Sequence, residues 1–275
     1  MSLTTADAVR LGSFYQRAFG FRPLAAERLA GRDFEQLMGV SGGAQRTVLG
    51  LGQESIELLQ FDLPGRAYPQ DSAASDLLFQ HFAIVVSDIT GAFERLRTLD
   101  GWSAITHAGP QRLPASAGGV TAYKFRDPEG HPLELLAFPT ASIPPRWRTS
   151  SAQGPCVGID HSAICVADSA RSIAFYAALG LTRSGQSINS GTEQQRLDGV
   201  IEPRVEVTTL APQVPTPHVE LLCYRSVRYG AVEALRSNDI AATRLVFDSG
   251  AVTRGAQMPA ARRVLDPDHH QLLIA

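Results

Sequence analysis

The sequence predicts an α+β fold built from repeated β-α-β-β-β units, of which the fourth is shortened. Three observations support this prediction: an Asp that recurs before helical segments, an Asp-Pro turn that recurs before an apolar strand, and a His and Glu pair that recurs in the second and third units. The approximate limits of the units are residues 1–63, 78–138, 157–225 and 238–275. Equivalent positions in different units are therefore expected to have similar surroundings.

The helices of the first three units are predicted to begin after Asp7, Asp88 and Asp168, since each precedes apolar residues at helical spacing. A carboxylate at this position accepts hydrogen bonds from the free N–H groups of the first helical turn, so Asp is a favoured N-cap. Gly20 and Gly180 stand where the first and third helices should end, because glycine readily adopts the left-handed conformation found there.

Two tight turns are predicted at residues 126–131 and 265–270, late in the second and fourth units. In each, Asp-Pro is followed by Gly or a polar residue, which is typical of a turn that joins two strands. We expect the histidines of these turns to be surface residues rather than ligands.

The recurring His and Glu residues are candidate metal ligands. His81 and His161 lie in nearly continuous apolar runs, each of which is typical of a strand buried on both faces. Glu134 and Glu220 lie among leucines, where a charge is costly unless it is paired or bound to a metal. Imidazole and carboxylate are the ligands expected for Zn, Ni, Co, Mn or Fe, with water completing the coordination. The four residues therefore suggest a divalent metal site, whose metal is not identified.

Composition narrows the class of protein. With 27 acidic and 25 basic residues and no basic run, a nucleic-acid partner is not expected. Cys156, Cys165 and Cys223 are an odd number without metal-binding spacing, which favours reduced core residues and a cytoplasmic location. The sequence shows no leader and no run long enough to span a bilayer, so no membrane association is expected. Lys124 is the single lysine, against 24 arginines, which suggests a bacterial protein.

The order of these motifs resembles the vicinal oxygen chelate superfamily, which includes lactoylglutathione lyase, extradiol dioxygenases, methylmalonyl-CoA epimerase and the fosfomycin and bleomycin resistance proteins. The resemblance rests on the turn at residues 127–131, on the Glu-Leu-Leu strands, and on the helix ends Phe14, Tyr15, Gly20, Phe21, Phe175, Tyr176, Gly180 and Leu181. It implies two cupped mixed sheets, each built from two units. Each unit of a cup would contribute a first-strand ligand and a last-strand Glu to a central metal.

The resemblance also shows which units have lost ligands. The first unit offers only Glu57, because the expected His would fall before Met1. In the fourth unit, counting from Asp248 places Ala241 at the His position, and counting from the turn places Leu273 at the Glu position. Both ligands are therefore expected to be missing from the fourth unit, which is also too short for its helix and all its strands.

Two pairings of the units are open. If neighbours pair in sequence, residues 1–140 (units 1 and 2) and 156–275 (units 3 and the eroded 4) form two glyoxalase-like domains, and Glu57 joins His81 and Glu134. The Pro- and Ser-rich linker at 139–155 supports that boundary. If the middle units pair instead, His81, Glu134, His161 and Glu220 form one complete site. Both damaged units lie at the chain ends, which favours the middle pairing.

The function implied by the resemblance is a metal-dependent lyase or isomerase of glyoxalase type. The metal would bind two vicinal oxygens of a small substrate and stabilise an enediolate-type intermediate, while Glu134 or Glu220 moves a proton between adjacent carbons. The substrate is not identified, and the protein is expected to be a monomer or a homodimer.

Two other functions compete with this one. An extradiol-type ring-cleaving dioxygenase is disfavoured because Lys124 stands where that pattern has an acid-base Tyr. The adjacent Tyr123 should point to the opposite face of its strand and pack in the core. A metal-free small-molecule binding or resistance protein would use the cup as an apolar pocket, with Glu134 and Glu220 paired to arginines such as Arg126.

Overall fold

The computed structural model describes residues 1–148, 154–213, 217–226, 233–247 and 261–274. Within these ranges the α-helices are α1 Ala8–Phe19, α2 Arg32–Met38, α3 Ile89–Arg97, α4 Pro145–Arg148, α5 Ser169–Ala178 and α6 Thr192–Asp198. The strands are β1 Ser2–Thr4, β2 Arg22–Leu29, β3 Ala44–Leu51, β4 Glu54–Phe61, β5 Phe79–Val86, β6 Ser103–Ala104, β7 Gln111–Arg112, β8 Thr121–Arg126, β9 Pro132–Ala137, β10 Cys156–Cys165, β11 Thr182–Ser190, β12 Arg204–Ala211, β13 His218–Tyr224, β14 Arg244–Phe247, β15 Arg262–Leu265 and β16 Gln271–Ile274.

The strands form two mixed sheets, which confirms the predicted α+β fold. The seven-stranded sheet has the order β15-β16-β14-β1-β4-β3-β2 and contains the first and fourth units. The nine-stranded sheet contains the second and third units, in the order β11-β12-β13-β10-β5-β9-β8-β6, with β7 paired to β8. Each half-sheet repeats one plan, in which the first and last strands of a unit run parallel.

The middle units meet where β5 and β10 pair antiparallel at the centre of the nine-stranded sheet. On either side, β9 runs parallel to β5 and β13 runs parallel to β10. The segments 1–140 and 156–275 therefore each give strands to both sheets. Their standing as two separate domains stays a prediction.

The helix caps occur where the sequence predicts them. The side chains of Asp7, Asp88 and Asp168 accept hydrogen bonds from first-turn N–H groups of α1, α3 and α5. Gly20 ends α1 at φ 78°, and Gly180 follows the end of α5 at φ 89°. Each cap places its helix directly after the first strand of its unit, so the recurring Asp marks the repeat.

One apolar core joins the helices to both sheets. It contains side chains from α1, α3 and α5 together with residues of β3, β4, β5, β9, β10 and β13. Tyr15 and Tyr176 are fully buried in it, which agrees with packing of the recurring aromatic pairs against the sheets. The three cysteines are buried and free. In the described part of the chain, no helix combines the length and apolarity needed to cross a bilayer.

His131 and His270, one histidine from each Asp-Pro turn, are buried, which corrects the expectation that they lie on the surface, whereas His269 is exposed as expected. Asp127 accepts hydrogen bonds from the Tyr15 hydroxyl (2.7 Å) and from His131 Nδ1 (2.9 Å), while His131 Nε2 donates to the Thr4 carbonyl (2.9 Å). The corresponding contacts in the other half involve Tyr176, Asp266, His270 and the carbonyl of Cys165. Each turn is therefore hydrogen-bonded to the unit before it. Such a contact between units cannot be predicted from local sequence.

Candidate metal centre

The fold brings all four recurring residues together. His81 on β5, Glu134 on β9, His161 on β10 and Glu220 on β13 come from four adjacent strands of the nine-stranded sheet. His81 Nε2 lies 2.6 Å from Glu134 Oε2 and 3.2 Å from His161 Nε2. His161 Nε2 lies 3.6 Å from Glu220 Oε2 and 3.9 Å from Glu134 Oε2. We call these residues the His-Glu quartet.

The sheet register explains the convergence. Glu134 lies opposite Ala83, two residues after His81, and Glu220 lies opposite Ala163, two residues after His161. Because side chains alternate along a strand, each His and its Glu point to the same face. The antiparallel pairing of β5 and β10 then places the two His-Glu pairs side by side around one point.

Burial and mutual charge set the ionisation of the quartet. Burial lowers the pKa of His81. Burial would also lower the pKa of His161, but Glu220 and Asp160 outweigh it and raise that pKa to about 9. For Glu220, burial is opposed by His161 and His218, and the pKa falls to about 2. At neutral pH without a metal, His161 is therefore a cation beside an ionised carboxylate.

The donor set fits a divalent metal. Around a tetrahedral ion with bonds of about 2.1 Å, neighbouring donor atoms lie roughly 3.4 Å apart, close to the observed 3.2 and 3.6 Å between quartet atoms. His81, Glu134 and His161 form one group of donor atoms within mutual reach, and Glu220 adds a fourth donor beside His161. The Nε2 atoms of two imidazoles and a Glu134 oxygen face one another, so a proton or a cation must lie between them.

Three further residues, His218, Asp160 and Gln80, contact the quartet, and the sequence analysis missed them. His218 Nε2 lies 3.6 Å from Glu220 Oε1 and 3.8 Å from Asp160 Oδ2. Asp160 accepts a hydrogen bond from His161 Nδ1, and Gln80 accepts one from His81 Nδ1. A signal was present: His218 stands two residues before Glu220, on the same face of the strand, and the other two directly precede the histidines.

The quartet lines a cavity of about 380 Å³ on the face of the nine-stranded sheet. Its apolar lining includes Leu113, Leu136, Phe138 and Leu197. Lys124 also lines it, directly opposite Glu134 in the β8–β9 pairing. Apolar walls with a few convergent polar groups are typical of a small-molecule site.

Lys124 is held in a buried polar network at the cavity wall. Its ammonium lies 2.7 Å from Asp198 Oδ1, and the other oxygen of Asp198 accepts hydrogen bonds from Gln194 (2.7 Å) and Tyr224 (2.8 Å). Burial would lower the pKa of Lys124, but Asp198 and then Glu134 outweigh it and raise that pKa. The single lysine of the chain is therefore a fixed cation next to the quartet.

Two neighbouring residues have structural roles. The ring of Tyr123 packs against Phe93 at a centroid distance of 4.5 Å, as the alternation along β8 predicts. Arg126 donates to the carbonyls of Gly130 and Ser72 rather than to Glu134. The expected Arg126 pairing with a buried glutamate is therefore wrong.

The seven-stranded sheet contains the remnants of the repeat. Glu57 on β4 forms an ion pair with Arg46 at 2.5 Å, and it lies in a different sheet from His81, so the condition for its joining the site is not met. Leu273 occupies the Glu position, opposite Val246. The His position two residues earlier belongs to Arg244 and not to Ala241, whose assignment depended on a count from Asp248, outside the described residues.

Arg244 is fully buried at this position. Its guanidinium donates to Thr4 Oγ1 (2.7 Å) and to the carbonyls of Ala242 (2.6 Å) and Ser237 (3.2 Å). Burial lowers the pKa of Arg244 to about 10, an effect that Glu57 opposes, so the group stays cationic at neutral pH. A permanent side-chain cation thus stands where the other sheet has a histidine.

Sequence comparison now assigns the family. Residues 1–135 match the profile of the Glyoxalase/Bleomycin resistance protein/Dioxygenase superfamily. By that match, the N-terminal half of the chain belongs to this superfamily. No curated protein has a significant sequence match to the chain.

Solved structures extend the likeness in fold to nearly the whole chain. Glyoxalase I from Zea mays is similar to it with a TM-score of 0.58 and 18% identity, covering 99% of this chain and 89% of that one. A glutamate-to-glutamine mutant of the same maize enzyme gives the same TM-score and identity, covering 99% and 91%. The fosfomycin resistance protein FosX from Listeria monocytogenes, complexed with Mn(II) and sulfate, covers 51% of this chain and 90% of its own, with 15% identity and a TM-score of 0.32.

Proposed function

We propose that the protein is a metal-dependent lyase or isomerase of glyoxalase type, acting on a small molecule with vicinal oxygens. The observation that carries this proposal is the convergence of His81, Glu134, His161 and Glu220 on one point in the wall of a cavity. Two nitrogens and two carboxylates at these separations suit Zn, Ni, Co, Mn or Fe. When bound, the metal would polarise the substrate oxygens as a Lewis acid.

The side chains would do the remaining chemistry. Glu220 is the more exposed carboxylate, with 20% of its side chain accessible against 7% for Glu134. A carboxylate at the cavity surface can take a proton from one substrate carbon and return it to the next, which produces and consumes an enediolate-type intermediate. Lys124 would add positive charge to this low-dielectric wall and favour the developing oxyanion. The apolar lining would exclude water from the substrate.

The competing functions have less support. Ring cleavage of the extradiol type would require an acid-base tyrosine near the metal, and Lys124 occupies the corresponding position while Tyr123 packs in the core. A metal-free binding protein would keep the quartet together through shared protons, with His161 as the cation. Metal content separates that function from the proposed one.

The first test is metal stoichiometry by elemental analysis after reconstitution of chelator-treated protein with zinc, nickel or manganese. We expect one equivalent in the wild type, and its loss in both His81→Ala and His161→Ala. The exposed His107→Ala is the matched control and should retain the metal. A wild type that holds no metal after reconstitution would refute the proposal and favour a binding protein.

The second test addresses the reaction. The metal-loaded protein is incubated in D₂O with a panel of 2-hydroxy ketones and 2-oxoaldehydes, and deuterium incorporation at the carbon next to the carbonyl is followed by NMR. Glu220→Gln should reduce incorporation by two to four orders of magnitude, the usual contribution of a general base, while keeping bound metal at reduced affinity. Oxygen uptake with catechols and no deuterium exchange would instead support the dioxygenase.

A further inference from the structure

The residue before each histidine of the quartet forms a β-bulge in its strand. In the pairing of β5 with β10, Ile159 and His161 lie opposite Ile84 and Ala83, so Asp160 is the extra residue. On the other strand, Ala163 and Ile164 pair with residues 81 and 79, so Gln80 is extra. Neighbours on a regular strand point to opposite faces, whereas a bulge re-aims one side chain. The two bulges therefore turn Gln80 and Asp160 toward the ring that each precedes.

Both side chains reach the Nδ1 atom of their histidine. Gln80 Oε1 lies 2.5 Å from His81 Nδ1, and Asp160 Oδ2 lies 3.1 Å from His161 Nδ1. These oxygens can only accept, so each Nδ1 carries the hydrogen.

A second contact fixes each acceptor in turn. Gln80 donates its amide N–H to the Ala74 carbonyl (3.2 Å), which leaves its oxygen for His81. Asp160 Oδ1 accepts from Trp147 Nε1 (3.1 Å) and has Arg146 Nη2 at 3.6 Å, which leaves Oδ2 for His161 and for His218, 3.8 Å away. Gln80 therefore cannot turn its N–H₂ toward His81, and the Asp160 carboxylate keeps Oδ2 toward His161.

We propose that Gln80 and Asp160 are positioning residues of the candidate centre, which hold the hydrogen of His81 and His161 on Nδ1 so that both Nε2 lone pairs face the ion. This inference rests on the proposed metal function and deepens it. Outer groups that orient ligating histidines contribute to metal affinity by fixing the ring and its tautomer. The two positions differ in charge, and the anionic Asp160 is the stronger acceptor.

The decisive variant is Asp160→Asn. Trp147 still needs an acceptor, so the new carbonyl faces the indole and the amide N–H₂ faces His161 Nδ1. His161 must then carry its hydrogen on Nε2, the atom that would bind the metal. We expect zinc affinity, measured by competition with a chromophoric chelator, to fall about 10- to 100-fold. In the metal-free protein, at a pH above 9 where His161 is neutral, ¹H–¹⁵N long-range NMR with labelled histidine should show the change of tautomer at His161.

Further variants keep the inference testable if Asp160→Asn folds poorly. Gln80→Met removes the acceptor for His81 at similar volume and should lower zinc affinity less than Asp160→Ala does. Glu94→Gln makes the same carboxylate-to-amide change on the surface of α3 and should alter neither readout.

The outcomes separate this inference from the proposed function. Wild-type zinc affinity in both Asp160→Asn and Gln80→Met would overturn the positioning role, as would reduced affinity with an unchanged His161 tautomer. A wild type that binds no zinc would overturn the proposed function, while the tautomer measurement on the metal-free protein would still decide what Gln80 and Asp160 do.

Discussion

In the nine-stranded sheet, Glu134 and Glu220 lie beside histidines in the wall of a cavity, whereas in the seven-stranded sheet Glu57 pairs with Arg46 and Leu273 replaces the second glutamate. The four central strands have the same plan in both sheets, β16-β14-β1-β4 in one and β13-β10-β5-β9 in the other, and the side chains at their equivalent positions differ. The comparison shows two ways to satisfy a carboxylate on the face of such a sheet. In the nine-stranded sheet the histidines leave room for a proton or a metal ion, which can exchange. In the seven-stranded sheet the arginine side chain itself supplies the positive charge.

Arg46 and Arg244 are expected to prevent metal binding at the equivalent positions of the seven-stranded sheet. Arg46 neutralises Glu57, and Arg244 fills the position of a histidine with a group that cannot act as a ligand. A guanidinium has donors only and stays charged at neutral pH, so no lone pair is available. We therefore expect all specific metal binding to belong to the nine-stranded sheet.

The largest expected effect comes from removing Arg244. Arg244→Met would remove the buried donor of Thr4 Oγ1 and of the Ala242 carbonyl, while the Ser237 carbonyl would still accept from the Thr4 hydroxyl. Buried groups that lose a partner cost about 1–3 kcal/mol each, so the loss of two such donors should lower the free energy of unfolding by about 2–6 kcal/mol. Urea denaturation measures the change, and the zinc stoichiometry of the folded variant should equal that of the wild type. A loss below about 1 kcal/mol would show that the cation is not needed there.

The next effect concerns the pH dependence of the metal-free nine-stranded sheet. The folded pKa of His161, about 9, lies above the ordinary value of 6.5. Its stabilisation is therefore fully present below about pH 6.5 and is lost as the pH rises through 9. Chelator-treated protein should lose up to about 3 kcal/mol of unfolding free energy between pH 6 and pH 9.5. His161→Gln should flatten this dependence, and if the slope persists in that variant another group causes it.

Bound metal should reverse this loss of stability with rising pH, so the pH dependence distinguishes a quartet that holds metal from one that does not. Metal competes with protons for imidazole, so zinc affinity should rise as the pH increases through the titration of His161.

At acid pH, the stability of the metal-free protein depends on Glu220 instead. Glu220, with a folded pKa of about 2 against an ordinary 4.5, stabilises the protein above about pH 4.5 and loses this effect as the pH falls toward 2.

Much of the site was visible in the sequence because it depends on a repeat. His81 and His161 stand at the same distance from capping Asp residues, and strand alternation places each on the face of its glutamate. Which units pair was harder to predict, because the pairing of β5 with β10 is a contact between distant parts of the chain that no local motif encodes. Gln80 and Asp160 were missed because a bulge is not apparent from apolar alternation, and a one-residue shift reverses which face a side chain takes.

The fourth unit shows the limit of counting along the chain. The count from Asp248 assumed that the spacing between first strand and helix is conserved, and it placed Ala241 at the His position. Strand pairing gives Arg244, because Ser2 lies opposite both Glu57 and Arg244. In a unit that has lost residues, register against a neighbouring strand is the more dependable guide.

The smallest expected effect is at the pair that replaces the metal ligands in the seven-stranded sheet. Arg46 bridges Glu57 and Glu27, with side-chain exposures of 32%, 15% and 50%. Partly solvated ion pairs contribute about 0.2–1 kcal/mol, so Arg46→Met should lower the unfolding free energy by less than about 1 kcal/mol. A double-mutant cycle with Glu57→Gln isolates the coupling. A coupling well above 1 kcal/mol would mean that the Arg46–Glu57 pair is a strong interaction. The two sheets would then differ only in whether the cation beside the carboxylate can be exchanged.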